Sequence, residues 1–205
     1  MTWLAATLLL GAATAAKGPA KVPWITASDD GTTRIVYRDI QSANAREVRA
    51  TTDLKATPEA VWKVVKDFAH EAEFMPYLVQ VKKLGPCAGG TVYYERVSPP
   101  IISDRDYTVC VKLVADEKTQ RFERSWTLAN DRGPKPVDGV VRVPVNDGSY
   151  QVSPDGKGGT RLVYTVLTNP GGSVPAWIAK RASTSTVPDL FDAIRHRVRD
   201  PRWTK

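Results

Sequence analysis

Histidine and cysteine are nearly absent from this chain of 205 residues: His70 and His196, with Cys87 and Cys110, are the whole complement. The two histidines fall on different predicted helices, and neither has a Cys, His or carboxylate at the spacing a zinc ion needs. No Gly-x-Ser-x-Gly elbow and no phosphate loop occurs. Gly156-Lys157-Gly158-Gly159-Thr160 has the composition of the latter, but it joins two strand patterns with no helix after it and reads as a hairpin turn. Internal repeats, low-complexity tracts and a second domain are also missing. Nothing in these patterns compels chemistry, and no metal site is expected.

Two cysteines are too few for a disulfide framework. Cys87 lies in the turn Gly85-Pro86-Cys87-Ala88-Gly89-Gly90 and Cys110 in mid-strand, so a bridge is left open and two idle or buried thiols are the favoured reading. Charge is missing from Met1 to Ala16, where Trp3-Leu4-Ala5-Ala6-Thr7-Leu8-Leu9-Leu10-Gly11 precedes the small residues Ala13-Thr14-Ala15-Ala16. That is the form of a cleaved export signal. It is short of the roughly 20 apolar residues of a membrane span. An uncleaved anchor and a misassigned start are the alternatives, and no Cys follows the run to carry a lipid. Residues 17–205 are then expected to form one domain in a periplasmic or secreted protein, large enough for a core without metal.

The net charge of +7 is partly local, with Lys180, Arg181, Arg195, Arg197, Arg199, Arg202 and Lys205 all in the last 26 residues. A basic tail can approach lipid headgroups or simply be a solvated helix face. No nucleic-acid motif accompanies it, so nucleic acid is not an expected partner.

Alternation dominates the middle of the chain. Thr33–Arg38 and Arg46–Leu54 read as two early strands. Thr57 then caps a helix with Pro58 in its first turn and Val61, Val64, Val65 and Phe68 inward. Glu71-Ala72-Glu73-Phe74 suggests a short second helix ending before Pro76. Strands resume at Val79–Leu84, Thr91–Val97, Asp106–Val114, Arg121–Leu128, Gly139–Val145, Ser149–Ser153 and Arg161–Thr168, mostly joined by short turns. A corner, Asn169-Pro170-Gly171-Gly172-Ser173-Val174-Pro175-Ala176-Trp177, leads into a helix expected from Pro175 to Val198 and kinked at Pro188. These elements describe an α+β domain in which a bent antiparallel sheet grips a long C-terminal helix.

One constellation draws attention. Arg105, Tyr107, Val109, Val111 and Leu113 share a strand face that should point inward. A desolvated guanidinium demands an anion, and Glu95 on the preceding strand or an anionic ligand headgroup would serve. The bland alternative is an end-of-strand ion pair with Asp104 or Asp106. Ile101, Ile102, Val174 and Trp177 sit at loop or corner positions where burial is not assured, which suggests a movable mouth or a membrane-touching patch.

Several spaced motifs resemble the START (StAR-related lipid-transfer) domains of the helix-grip superfamily, in their phosphatidylcholine-transfer branch. They are Tyr94-Glu95, Pro100, Ser103-Asp104-Arg105-Asp106-Tyr107, Gly139-Val140-Val141-Arg142-Val143, and Asn169-Pro170-Gly171-Gly172 with Val174-Pro175, Trp177 and Pro188. The resemblance covers about residues 45 to 200. It implies a helix-grip fold, a hydrophobic tunnel with the closing helix as lid, non-covalent binding of one lipid, and no cofactor. On that basis Glu95 and Arg105 would orient the polar end of the ligand. Tyr107, Val109, Trp126 and Leu190 would line the tunnel, and Ile101, Ile102, Val174 and Trp177 would gate it. The protein would be a monomer touching anionic membranes transiently. Rival readings are a cyclase, aromatase or hydrolase using Glu95/Arg105 or His70, and a sensor that binds without transfer.

Overall fold

A computed structural model describes residues 22–174 and 186–201. The expected export signal, Trp177 and the first half of the expected closing helix lie outside the described residues. Ten strands form one sheet: β1 (Ile25–Asp29), β2 (Thr33–Ile40), β3 (Ala45–Leu54), β4 (Leu78–Cys87), β5 (Gly90–Val97), β6 (Arg105–Asp116), β7 (Arg121–Leu128), β8 (Val141–Arg142), β9 (Val145–Pro154) and β10 (Thr160–Asn169). Their order is β1-β2-β3-β10-β9-β7-β6-β5-β4, with β8 set against β6. All pairs are antiparallel except β6–β8, which is parallel over Arg105–Asp106.

The first helix, α1 (Pro58–Val65), forms where the sequence places it. The Ala60 amide donates to the Thr57 hydroxyl at 3.3 Å, and Pro58 occupies the first turn, where a missing N–H breaks no helical bond. Its Val61, Trp62, Val64 and Val65 are buried, and Trp62 stacks on Phe122 of β7 with centroids 5.4 Å apart. The second helix, α2 (Val187–Arg199), buries Phe191, Ile194 and Val198. Pro188 stands in the first turn of α2 as described, while the residues before Thr186 that would show the expected kink lie outside the described residues. Both helices cover the inner sheet face carried by Ile35, Val48, Val111, Phe122, Val152 and Leu162. Burying each such side chain contributes about 1.5–3 kcal/mol. The corner after β10 is as the glycines predict: Gly171 and Gly172 have φ +66° and +60°, and the Asn169 carboxamide accepts from the Gly171 amide at 2.9 Å.

Four expectations are corrected. Cys87 and Cys110 form a disulfide, because β4 and β6 flank β5 and bring the two Cα atoms to 6.1 Å. The strand expected over Gly139–Val145 is two residues long, its Val145 already opening β9. Leu113 does not share the inward burial of Val111. The register of β5 with β6 ends at Thr91↔Val111, so the β6–β7 hairpin runs past it and leaves Leu113 49 % exposed. The edge strand β1 adds a strand for which the sequence pattern made no case.

Candidate functional site

The sheet and α2 do not close on each other completely. Between them lies a cavity of about 210 Å³. Its sheet wall carries Glu95 and Val97 of β5, Tyr107 of β6, Arg124 and Trp126 of β7, Asn146 and Tyr150 of β9, and Tyr164 of β10. Val187 and Leu190 of α2 roof it, and Glu71, Met75, Pro76 and Leu78 close one end.

The alternation of β7 explains its wall: Phe122, Arg124 and Trp126 point inward in turn, and all three are buried. Arg124 is neutralised by Glu71. Nη1 donates to Oε1 and Nη2 to Oε2, each at 3.0 Å, and Nη1 also donates to the Val65 carbonyl at 2.9 Å. The guanidinium lies 3.5 Å from the Phe68 ring centroid, and Phe68 stacks on Tyr93 at 4.2 Å. Burial works against the charge on Arg124, but the facing carboxylate holds its pKa above the usual value.

Glu95 is the second buried carboxylate of the cavity, and among the described residues it has no cation of its own. The Tyr107 hydroxyl donates to its Oε2 at 2.8 Å. Burial, and then the nearby Glu71 carboxylate, push its pKa up to about 7, against the opposing pull of Arg124 and the Tyr107 hydrogen bond. Around these groups stand three rings, with centroids of Tyr150 and Tyr164 4.9 Å apart and those of Trp126 and Tyr164 6.1 Å apart. The Trp126 indole donates to Asn146 Oδ1 at 3.4 Å.

Trp126 lies flat because its partner across the β7–β9 ladder is Gly148. A Cβ on Gly148 would come within 2.4 Å of both Trp126 Cζ2 and the Thr165 carbonyl oxygen. Gly148→Ala should therefore cost about 1–3 kcal/mol in urea unfolding. It should also shift the Trp126 fluorescence, and an unchanged stability would mean that the ring can yield freely.

A second cavity, of about 450 Å³, adjoins the first at Tyr164, Thr186 and Val187. Its walls include Ile40, Ala45, Val48, Val166 and Pro170. A polar, aromatic chamber thus meets a larger apolar one at a shared threshold, the shape that an amphiphilic molecule fits.

Of the residues singled out from sequence, Glu95, Tyr107, Trp126 and Leu190 line the inner cavity. Val109 does not; two residues beyond Tyr107 it is 1 % exposed and belongs to the solid core. Arg105 does not pair with Glu95, because the register sets Tyr107 opposite Glu95 and Val97 opposite Arg105. Ile101 is 77 % exposed on the β5–β6 loop, where it holds a positive φ of 78° that a β-branched residue rarely adopts. Ile102 and Val174 are half-buried. His70 bonds Asp67 and is absent from the cavity wall. Among the described residues no group of three or more His, Cys, Asp or Glu side chains is set to hold a metal. Sequence reasoning missed Glu71 and Arg124. Arg124 was open to discovery by counting in twos between Phe122 and Trp126, whereas Glu71 in a short polar turn carries no such signal.

Residues 45–199 match the family described as polyketide cyclase / dehydrase and lipid transport. An uncharacterised protein of Pseudomonas aeruginosa is 27 % identical over 158 residues, covering 76 % of this chain and 77 % of that protein. The phosphatidylcholine transfer protein of Bos taurus is 27 % identical over 137 residues, covering 65 % of this chain and 64 % of its own length. A solved STAR-related lipid transfer protein of Xanthomonas axonopodis superposes with a TM-score of 0.73 at 25 % identity, over 86 % of this chain and 99 % of that one. The chain belongs to the polyketide cyclase/dehydrase and lipid-transport family, and within it takes the START helix-grip fold.

Proposed function

We propose that the protein binds one amphiphilic lipid non-covalently and carries it between membranes. The observation that carries this reading is the pair of joined chambers. The inner one presents Glu95, Tyr107 and Asn146 to a polar head, and the outer one presents Val48 and Val166 to an apolar chain. At roughly 30 Å³ for each water-sized group, the inner chamber of about 210 Å³ suits a headgroup and excludes two acyl chains. Each methylene moved from water into the outer chamber contributes about 0.8 kcal/mol, so a chain must be matched closely to leave a bilayer.

Ile101 would enter the membrane from its exposed loop position, and the net charge of +7 would favour anionic surfaces. The terminal helix contributes less to that attraction than its composition suggests. Arg197 is buried against Glu73 at 3.0 Å, and Arg195 bonds Asp192, Thr33 and Thr52. The Cys87–Cys110 bridge and the apolar residues 1–16 support an exported protein, since disulfides persist in oxidising compartments.

Transfer of a fluorescent phospholipid from donor to acceptor vesicles tests the proposal. Folded protein should accelerate transfer well above the spontaneous rate, and no acceleration would overturn it. A second reading has one observation in its favour: a carboxyl titrating near neutrality in a cavity is suited to acid–base work. Under that reading Glu95→Gln abolishes turnover of a hydrophobic substrate while leaving its binding intact. Under the carrier reading Glu95→Gln changes affinity alone.

A further inference from the structure

Beyond Val111, β6 loses its neighbour on one side. β5 pairs with it no further than Thr91↔Val111, while β7 stays paired with it to Asp116↔Arg121. Among the described residues, Leu113 to Asp116 therefore form an open sheet edge, with β7 on one side and no strand on the other. The hairpin also stands clear of the fold. Leu113 is 49 % exposed and Val114 62 %, although they belong to opposite strand faces. Unpaired backbone beside apolar side chains invites another strand, and proteins ordinarily discourage it with a charge, a proline or a bulge. Leu113-Val114-Ala115 has neither charge nor proline, and the β6–β7 register runs through it without a shift.

The flanking charges name the partner that fits. Lys112 lies two residues before Val114 and Asp116 two residues after it, all three on one strand face. Laid antiparallel on a second copy of itself about Val114, the edge sets Val114 against Val114, Leu113 against Ala115, and Lys112 against Asp116. The last two pairs occur twice by symmetry. A slip of one residue breaks both charge pairs. Asp116 is held in its ionised form by the turn, where the Thr119 hydroxyl donates to it at 2.7 Å and the Lys118 and Thr119 amides at 3.1 and 3.3 Å. Lys112 has no hydrogen-bond or ionic partner among the described residues. We infer that the protein self-associates through this edge, as a two-fold dimer in which the β6 strands pair antiparallel about Val114 and join the two ten-stranded sheets into one. The monomer expected from the resemblance is then the dilute form. β6 starts at Arg105 beside the Ile101 loop, and its open edge begins eight residues later, about 27 Å away at the rise of a strand. Pairing there leaves both chambers accessible, so the interface does not depend on the carrier reading.

Sedimentation velocity measures the association. A ladder this short makes a transient interface, with an expected Kd of about 10–100 μM, so protein is run from about 5 to about 500 μM. Lys112→Glu, which sets like charges opposite each other twice, should raise Kd by about tenfold or more. Val114→Lys brings two ammonium groups together on the axis. It should leave monomer alone at every concentration, with the melting temperature unchanged because the side chain is exposed. Cysteine bridging reads the register without relying on either variant, since Cys87 and Cys110 are already paired. Val114→Cys chains should join to each other under mild oxidation. Lys112→Cys chains should not, because their copies stand about 14 Å apart, beyond the reach of a disulfide. Wild-type protein that stays monomeric throughout, a dimer that persists in Val114→Lys, or bridging of Lys112→Cys as fast as that of Val114→Cys would each overturn the inference.

Discussion

Glu71→Ala is expected to destabilise the protein by about 3–5 kcal/mol, the cost of leaving a buried guanidinium unpaired. Arg124 has the arrangement that makes this loss large. Its side chain and that of Glu71 are each 6 % exposed, and among the described residues its hydrogen bonds besides the Val65 contact are two, both to Glu71. Arg124→Met alone should cost nearly as much, because Glu71 is then the uncompensated charge. Glu71→Met combined with Arg124→Met should cost far less than the sum, since well-packed apolar replacements of a buried ion pair are often neutral. Urea denaturation of the wild type, Glu71→Met, Arg124→Met and the double variant measures the coupling. Additive losses would show that the two groups do not depend on each other. A domain of this size commonly has about 5–15 kcal/mol of stability in all, so the single variants should also be purified in much lower yield.

Stability should fall as pH rises from about 4.5 to about 7, and Glu95→Gln should reduce that dependence, leaving the part that comes from Glu71, whose pKa burial also raises. Glu95 titrates near the ordinary carboxyl value of 4.5 when unfolded and at about 7 when folded, chiefly because of burial and then the Glu71 carboxylate. Between those values the native state binds the extra proton, so raising the pH favours the unfolded chain. The contribution is fully present below about 4.5 and is lost on passing through about 7; its size is on the order of 3 kcal/mol. Exposed carboxylates act in the opposite direction at lower pH. Asp104, held down by the Ser98 and Arg96 hydrogen bonds, loses its contribution only as pH drops into the acid range. Urea midpoints at pH 5 and pH 8 for wild type and Glu95→Gln separate the two effects. A wild type equally stable at both would show that Glu95 is ionised throughout. The same titration bears on binding, because a neutral Glu95 offers a donor to a ligand oxygen, whereas an ionised one repels a ligand anion.

Local rules made most of the fold legible. Thr57-Pro58 announced α1, alternation announced the long strands, and Gly171-Gly172 announced a corner with positive φ. Where the sequence misled, long-range geometry was the cause. Whether Cys87 meets Cys110 depends on β5 lying between their strands, which spacing along the chain does not reveal. Leu113 follows the inward alternation of β6 yet is solvent-exposed, since burial requires a neighbour to cover the face as well as the right parity. The site was half visible for a related reason. Glu95 and Tyr107 stand out as polar residues on apolar strand faces, and cross-strand register joins them. Glu71 lies in a 3-10 turn of Glu-Ala-Glu, where a surface role is the ordinary reading, and only the tertiary position of Arg124 draws it inside. Arg105 was recognised as a buried cation in need of an anion, but the partner nearest in sequence pattern proved to belong to Tyr107.

The central claim is that the hollow between sheet and helix is occupied by a lipid in the working protein. Native mass spectrometry of protein purified without detergent from its own expression host, followed by organic extraction, measures this directly. One lipid per chain, released on unfolding, is the expected result. Fully folded protein with the bare polypeptide mass and a clean extract, which also stays bare after incubation with vesicles, would contradict the claim.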